Sequence, residues 1–292
     1  MTTTNKKTVS LVLGSGGARG MAHIGVIRWL LDHNYEIKSI SGSSIGALVG
    51  GMYAAGKLDE FEAWAENITV LYKVKLFYIN WNNEARGDKV INTLIELFGD
   101  YQIEDLPITY TAVASDIRNE KEVWINKGSL FKALRASMAM PLFFTPVVRN
   151  GVHLIDGGVL NPVPIAPTFS DHTDLTIAVN LGGSIHHNFD KVTNKLSGNG
   201  STFSSNFKSI TQHFAANKIN LSEKGIDWRT YNIAELAIDA MQSTIARQKL
   251  AAYPANYVIE ISRSACGTLE FERSAEMIKL GYAMAEHWLK EV

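Results

Sequence analysis

A short glycine-flanked turn near the start of the chain places a serine where nucleophilic chemistry is possible. It is Gly42-Ser43-Ser44-Ile45-Gly46, a G-x-S-x-G pattern between an apolar run and a helical pattern. At a sharp strand-to-helix turn a serine projects its hydroxyl outward, and flanking glycines prevent steric clashes in the strained backbone. The following helix also points its positive end at the serine. The pattern predicts Ser44 as a nucleophile supported by Gly42 and Gly46, and the alternative is a helix N-cap serine.

A second glycine-rich turn, Gly14-Ser15-Gly16-Gly17-Ala18-Arg19-Gly20, also stands between a strand pattern and a helix pattern. A dinucleotide site is disfavoured because the glycine triplet closes one residue late and no acidic residue ends the second strand. A P-loop needs lysine after its last glycine, and Met21 stands there. The remaining interpretation is an oxyanion hole, in which backbone N–H groups stabilise the negative oxygen of a tetrahedral intermediate.

A nucleophilic serine needs a base, and the chain offers Asp156-Gly157-Gly158 at the end of a predicted strand. Taken alone, this sequence is an ordinary Asp-Gly turn. Histidine is the usual base, but no histidine has surroundings typical of a catalytic residue. His153 lies three residues before Asp156 on a strand, so its side chain should point to the opposite face. A Ser-His-Asp triad is therefore the weaker alternative.

The elements around the two glycine-rich turns alternate between strands and helices. Val9 to Leu13 is an apolar run that favours a strand, and Met21 to Leu31 has apolar residues at helical spacing. Ile37 to Ile40 and Ser44 to Ala55 repeat that order. Two successive strand–turn–helix units predict a parallel sheet covered by helices, with both turns at one edge.

Later segments add further strands and helices. A hairpin is predicted over 147–155 because Asn150-Gly151 stands between apolar flanks. The other predicted strands are Ile108 to Ala114, Glu120 to Ile125, Leu175 to Leu181 and Tyr257 to Ile261, and the other predicted helices are Leu130 to Met140, Ile233 to Leu250 and Phe271 to Leu289. Pro141 is expected to end the first of these helices. Gly182 to Asn206 predicts a long flexible loop, because it offers little apolar surface to offset the entropy of ordering.

Composition limits the classes of protein that the chain can represent. Its 292 residues, 46% hydrophobic and 20% charged, are typical of a globular protein with a substantial core, and one domain over 1–292 is expected. A formal net charge of −1 gives no global field toward nucleic acid. The single cysteine, Cys266, excludes an internal disulfide and favours a reducing, cytoplasmic location. We predict no membrane span, secretory signal, cofactor or metal site.

Three sequence blocks, taken in order, resemble the signature blocks of patatin-like phospholipases. They are Gly16-Gly17-Ala18-Arg19-Gly20, Gly42-Ser43-Ser44-Ile45-Gly46 and Asp156-Gly157-Gly158. Two more stretches are similar: Ala136-Ser137-Met138-Ala139-Met140-Pro141 followed by Phe144-Thr145-Pro146-Val147, and Asn161-Pro162-Val163-Pro164. The resemblance spans about Val9 to Gly183, and Met241 to Leu250 is similar to the small bacterial members. Each motif alone is common, but together they are highly specific.

The resemblance implies an α/β fold of three α/β/α layers with a mainly parallel central sheet, and a Ser–Asp dyad without histidine. By position, Ser44 is the nucleophile and Asp156 the base. Gly16 and Gly17 supply the oxyanion amides, and Arg19 fixes the conformation of their loop. One departure is Gly14-Ser15, which stands where Asp-Gly is frequent in the family. A free aspartate, with a pKa of ~3.9, is a poor base for serine, so burial is expected to raise the pKa of Asp156.

The resemblance also implies the partners of the site. An acyl ester or phospholipid would be cleaved through an acyl-serine, without a metal, and a peripheral contact with a membrane would follow from such a substrate. The aromatic and basic run Leu71 to Trp81 has two interpretations, as a lid or lipid-contacting surface and as buried packing. A non-catalytic binding module on the same fold is the alternative function, and the oligomeric state stays open.

Overall fold

The computed structural model describes residues 6–68, 87–141, 143–184 and 228–290. The chain divides into two compact units, one formed by 1–185 with 242–292 and the other by 186–241. In the second unit the described residues are 228–241, which lie in a helix. A single domain over 1–292 stays a prediction. The run Leu71 to Trp81 and residues 185–206 of the predicted loop lie outside the described residues.

Eight strands and seven longer helices make up the described structure. The strands are β1 Lys7–Leu13, β2 Tyr35–Ser43, β3 Thr109–Asp116, β4 Lys121–Ile125, β5 Val147–Arg149, β6 Val152–Asp156, β7 Leu175–Gly183 and β8 Tyr257–Ser262. The helices are α1 Ala22–Asp32, α2 Ile45–Ala54, α3 Leu58–Glu66, α4 Asp88–Phe98, α5 Leu130–Ser137, α6 Trp228–Ala252 and α7 Ser274–Leu289. All predicted strands and helices are present with shifted ends, whereas α3 and α4 were not predicted.

The strands form one mixed sheet whose core is parallel. Its order is β5-β6-β3-β2-β1-β7-β8, and β4 pairs with β3. The pairings among β3, β2, β1, β7 and β8 are parallel, whereas those of β4, β5 and β6 are antiparallel. The predicted hairpin is confirmed, with positive φ angles of 51° at Asn150 and 77° at Gly151. The predicted mainly parallel sheet is also confirmed.

Helices cover both faces of this sheet. Gly50 of α2 lies so close to Leu13 and Ile40 that an added Cβ would be 2.6 Å from the Ile40 side chain. Val12, the neighbour of Leu13 in β1, packs instead with Ala246 of α6 in a buried apolar cluster. Because successive strand residues point to opposite faces, α2 and the second half of α6 lie on opposite sides. The chain therefore forms the expected three α/β/α layers.

Three predicted element ends need correction, each for a physical reason. β2 continues beyond Ile40 to Ser43, because its polar end is paired with β1 on one side and β3 on the other. α5 ends at Ser137 rather than Met140, since the Ala139 carbonyl turns to accept a hydrogen bond from the Asp156 amide at 3.0 Å. Gly182 and Gly183 belong to β7, which pairs with β8 there, and so they are not part of a loop.

Candidate active site

Ser44 lies in a strained turn that joins β2 directly to α2. Its φ and ψ angles are 56° and −123°, a conformation that residues other than glycine rarely adopt. The flanking glycines are required by close packing. A Cβ on Gly46 would lie 2.1 Å from the Leu13 carbonyl oxygen, and one on Gly42 would lie 2.6 Å from the Ala47 nitrogen. We call Gly42–Gly46 the serine turn.

Ser137, at the end of α5, holds the serine turn in place. Its hydroxyl accepts a hydrogen bond from the Ser44 amide at 3.0 Å and donates one to the Val113 carbonyl at 2.6 Å. Ser137 is fully buried, and the hydrogen bonds of its hydroxyl to the Ser44 amide and the Val113 carbonyl are both made within the protein. The sequence did not identify this role, although Ser137 lies within one of the blocks that resemble the family.

Replacing Ser137 by alanine should misplace Ser44. The Ser137→Ala variant leaves a buried amide and a buried carbonyl without partners, which costs about 1–3 kcal/mol of stability. Because the Ser44 amide loses its anchor, we also expect about a tenfold loss in the reactivity of the Ser44 hydroxyl toward a serine-directed fluorophosphonate. The control is Thr168→Val, which removes another buried hydroxyl that donates to a backbone carbonyl, that of Ile165. It should lose stability but keep the reactivity of Ser44, and equal Ser44 reactivity in both variants would contradict the assignment.

Asp156 ends β6 at the point where β2 ends. On β3, Val113 lies opposite Ser43, and the next residue, Ala114, lies opposite Asp156. Because β2 and β6 both pair with β3, their C-terminal ends lie close together although the two strands are far apart in the sequence. The half-buried Ser44 hydroxyl donates a hydrogen bond to Oδ2 of Asp156 at 2.5 Å.

The carboxyl group of Asp156 is almost fully buried, with 1% of the residue exposed. Its Oδ1 accepts a hydrogen bond from the Gly158 amide at 2.7 Å. Burial raises the pKa of Asp156 to about 6, against the hydrogen bonds from Ser44 and Gly158, which lower it. A carboxylate with such a pKa is ionised at neutral pH and is a better proton acceptor than a solvated one.

The glycines after Asp156 allow close approach of two other segments. A Cβ on Gly157 would lie 2.0 Å from the Val113 carbonyl oxygen and 2.5 Å from the Ser43 hydroxyl. A Cβ on Gly158 would lie 2.3 Å from the Ser15 hydroxyl. The segment Asp156–Gly158 therefore packs against the serine turn on one side and against the first glycine-rich loop on the other.

That first loop, Gly14–Gly20, is called the glycine loop below. The amides of Gly14, Ser15 and Ala18 donate to backbone carbonyls, at 3.0, 2.8 and 2.8 Å. Within the described part of the chain, the amides of Gly16 and Gly17 have no such acceptor. These are the two amides for which the family resemblance implies an oxyanion role, which needs N–H donors directed at a ligand oxygen.

A buried arginine and a buried histidine hold the glycine loop. Arg19 donates from Nε to the Gly16 carbonyl at 3.0 Å and from Nη1 to the Arg263 carbonyl at 2.9 Å. His23 of α1 lies 2.8 Å from the Gly14 carbonyl through Nε2. Burial lowers the pKa of His23 to about 4, against this hydrogen bond, so the ring is neutral and Nε2–H donates.

The described histidines do not complete a triad. Ser44 and Asp156 bond to each other, to Ser137 and to Gly158, and no histidine in 6–68, 87–141, 143–184 or 228–290 is a hydrogen-bond partner of either. The same ranges contain no group of three His, Cys, Asp or Glu side chains that could hold a metal ion. None of their helices is both long enough and apolar enough to cross a membrane.

Comparison with known proteins identifies the family. The patatin-like phospholipase family matches residues 11–169. An uncharacterised NTE family protein of Mycobacterium tuberculosis is 37% identical over 97% of this chain and 91% of its own length. The lysophospholipase NTE1 of Kluyveromyces lactis is 31% identical over 62% of this chain, which corresponds to 13% of that protein. VipD of Legionella pneumophila, a solved structure, has 17% identity and a TM-score of 0.49 over 98% of this chain and 67% of its own.

The match to the family covers more than half of the chain and contains both Ser44 and Asp156. The M. tuberculosis relative extends the similarity over nearly the whole of both proteins. The chain therefore belongs to the patatin-like phospholipase family, and the resemblance of the sequence blocks is confirmed.

Proposed function

We propose that this protein is a serine acyl hydrolase that cleaves carboxylic esters of lipids, of the phospholipase or lysophospholipase type. The observation that carries the proposal is the 2.5 Å hydrogen bond from the Ser44 hydroxyl to the buried carboxyl group of Asp156. Family membership and the relative named as a lysophospholipase support a lipid ester as the substrate. A peripheral membrane contact and a cytoplasmic location stay predictions.

The first half of the proposed reaction forms an acyl-enzyme. The Ser44 oxygen attacks the acyl carbonyl carbon while its proton passes to Asp156. The carbonyl oxygen becomes negative and accepts hydrogen bonds from the amides of Gly16 and Gly17. When the tetrahedral intermediate collapses, the bond to the alcohol breaks, and that alcohol leaves with the proton from Asp156.

The second half returns the enzyme to its starting state. A water molecule attacks the acyl carbon of the Ser44 ester, and Asp156 takes the proton of that water. The same two amides hold the second oxyanion. Collapse releases the carboxylic acid, and the Ser44 oxygen regains a proton from Asp156. One carboxyl group thus serves as the base and the acid in both halves.

Hydrolysis of a graded set of esters tests this proposal. Wild-type protein should hydrolyse p-nitrophenyl esters of increasing chain length and release fatty acid from a lysophospholipid. Dependence on Ser44 is checked with the Ser44→Ala variant. Binding of lipid without turnover of any ester would instead support a non-catalytic module.

The pH profile of hydrolysis should follow the ionisation of Asp156. The carboxylate, and not the acid, accepts the serine proton, so kcat/KM should rise with pH, reach half its plateau near pH 6, and stay level toward about pH 8. The measurement is kcat/KM for a short-chain ester across that range, where the ester itself has no titrating group. A flat profile between about pH 5 and about pH 8 would contradict this role.

Removal of divalent metal should leave the activity unchanged. Ser44, Asp156 and two backbone amides provide the nucleophile, the base and the oxyanion donors, so no step of the proposed reaction calls for a metal. Ester hydrolysis is therefore expected to survive treatment with EDTA. A loss of activity that calcium restores would show that a further site takes part.

A further inference from the structure

The loop between β8 and α7, residues 263–270, is bonded to the glycine loop at two carbonyl groups. The Thr268 carbonyl accepts a hydrogen bond from the Ala18 amide at 2.8 Å. The Arg263 carbonyl accepts one from Nη1 of Arg19 at 2.9 Å. A segment almost 250 positions away in the sequence therefore holds the loop that carries the proposed oxyanion donors.

The contact at Thr268 is close enough to fix the peptide that follows Gly16. Gly17 has a φ angle of +59°, and a Cβ there would lie 2.3 Å from the Thr268 carbonyl oxygen. Since an oxyanion donor acts only when its N–H points at the developing charge, the position of Thr268 determines how the Gly16 and Gly17 amides are aimed.

The 263–270 loop is itself held by one carboxylate. Oε2 of Glu270 accepts a hydrogen bond from the Gly267 amide at 2.9 Å and another from Nη1 of Arg273 at 2.9 Å. Burial acts against ionisation of Glu270, but these hydrogen bonds outweigh it and lower its pKa below the ordinary value. Glu270 is therefore a carboxylate at neutral pH, and charge-assisted hydrogen bonds of this kind are the stronger ones.

We propose that Glu270 is a positioning residue for the oxyanion hole: it fixes the 263–270 loop, whose Thr268 carbonyl aims the amides of Gly16 and Gly17. Glu270 touches no reacting atom in this account. The inference rests on the proposed function, because the aim of these amides matters only if an oxyanion forms beside Ser44.

The chain offers a matched set of variants. Glu270→Ala removes both hydrogen bonds, whereas Glu270→Gln keeps an acceptor for the Gly267 amide but removes the charge that Arg273 contacts. Glu276 is the control residue, since it also pairs with Arg273, at 2.7 Å, and acts on the 263–270 loop of the described structure through its charge near Cys266. Glu276→Gln therefore weakens an ion pair of the same arginine without releasing the loop.

Cys266 provides a readout of the loop that does not depend on catalysis. It is the single cysteine of the chain, is 4% exposed, and its sulfur lies 3.6 Å from Oε2 of Glu270. Burial raises the pKa of this thiol to about 12, against the nearby charge of Arg273 and with a further contribution from the carboxylates of Glu270 and Glu276, so it should react slowly with a disulfide reagent. If the loop opens, the thiol becomes accessible and its reaction speeds up. Loss of the Glu270 charge alone also speeds it, and Glu276→Gln, which removes another carboxylate that raises the pKa of this thiol, shows the size of such a charge effect.

The experiment measures kcat, KM and the rate of Cys266 modification by 5,5′-dithiobis(2-nitrobenzoate) in all four proteins. For Glu270→Ala we expect about a tenfold fall in kcat with KM within about twofold, because only the transition state carries the oxyanion. Glu270→Gln should show a smaller fall, and Cys266 should react several-fold faster in both variants. Glu276→Gln should match the wild type in kcat and KM, and its Cys266 should react more slowly than Cys266 of either Glu270 variant.

Two results would overturn the proposal if the wild type is active, and a third measurement decides it if the wild type is not. Cys266 reactivity in both Glu270 variants that is no greater than in Glu276→Gln would show that Glu270 does not hold the loop. Cys266 reaction faster than in Glu276→Gln, together with unchanged kcat, would show that the loop does not aim the amides. If the wild type hydrolysed no ester, the proposed function would fail separately. Amide hydrogen exchange over residues 14–21 would then decide the coupling, with faster exchange in Glu270→Ala supporting it and equal exchange contradicting it.

Discussion

The Ser44→Ala variant should fold as the wild type does and lose ester hydrolysis almost entirely. Ser44 forms the covalent bond to the acyl group, so no acyl-enzyme can form without its oxygen. Removing the nucleophile of a serine hydrolase lowers kcat by on the order of 10⁶-fold in the best-studied example. We expect a loss of at least about 10⁴-fold, measured as initial rates on a p-nitrophenyl ester with thermal unfolding as the check on folding.

Ser43 supplies the matched control for this experiment. It is the neighbouring serine of the same turn and is buried, and within the described structure its hydroxyl has no hydrogen-bond partner. Ser43→Ala removes the same atom type one position away and should keep activity within about tenfold of the wild type. If Ser43→Ala lost as much activity as Ser44→Ala, or if Ser44→Ala kept its activity, Ser44 would not be the nucleophile.

The Asp156→Asn variant should lose activity and gain stability at the same time. An amide cannot accept the serine proton, so hydrolysis should fall by about 10²–10⁴-fold, the usual contribution of a general base. The fold should persist, because the amide oxygen can still accept the hydrogen bond from the Gly158 amide. A histidine-to-alanine variant that stays folded but is as inactive as Ser44→Ala would contradict the dyad and favour a triad.

The stability gain follows from the raised pKa of Asp156. Because its folded-state pKa of about 6 exceeds its unfolded value, the stabilising effect of the protonated carboxyl is lost as pH rises through 6. The neutral amide does not carry this penalty. Asp156→Asn should therefore be more stable than the wild type by up to about 3 kcal/mol at pH 8, and the difference should shrink toward about pH 4. Urea unfolding at the two pH values measures it.

The serine turn could be predicted because its glycines form a short pattern around Ser44. A Cβ on Gly42 would clash with atoms a few residues away in the same turn. A Cβ on Gly46 would clash with the end of β1, the strand that precedes β2 in the chain. Steric requirements of this kind produce a short, recognisable pattern of glycines in the sequence. The glycines after Asp156 are required instead by residues far away in the sequence, namely Val113, Ser43 and Ser15. The pairing of Ser44 with Asp156 is different, since it depends on the order of strands. The need of a nucleophilic serine for a base suggested Asp156, and the resemblance to a family made it the expected partner.

Other parts of the site could not be predicted from the sequence. They act either through backbone groups, which every residue has, or through common side chains in ordinary sequence surroundings. Thr268 acts through its backbone carbonyl, which no sequence pattern reveals. Ser137 acts through one hydroxyl across 93 positions, and a serine at the end of a helix is otherwise ordinary. Glu270 is similar in sequence to many loop carboxylates, and only the contact of the 263–270 loop with the glycine loop distinguishes it.

Some elements were missed although their signal is present. The buried residues of α3, namely Leu58, Phe61 and Ala65, lie at helical spacing. Those of α4 follow the same rule at Val90, Ile91, Leu94 and Phe98. The end of β2, in contrast, carries no apolar signal, since it is polar in sequence and its extension to Ser43 results from pairing with strands on both sides.

Labelling with a fluorophosphonate tests most directly whether Asp156 activates Ser44 as the nucleophile. An activated serine hydroxyl attacks the phosphorus and displaces fluoride, and peptide mass spectrometry locates the resulting adduct. We predict that the wild type carries the adduct on the peptide that contains Ser44, that Ser44→Ala carries none, and that Asp156→Asn reacts at least about 100-fold more slowly. Labelling that is unchanged in Ser44→Ala, or equally fast in Asp156→Asn, would contradict the account.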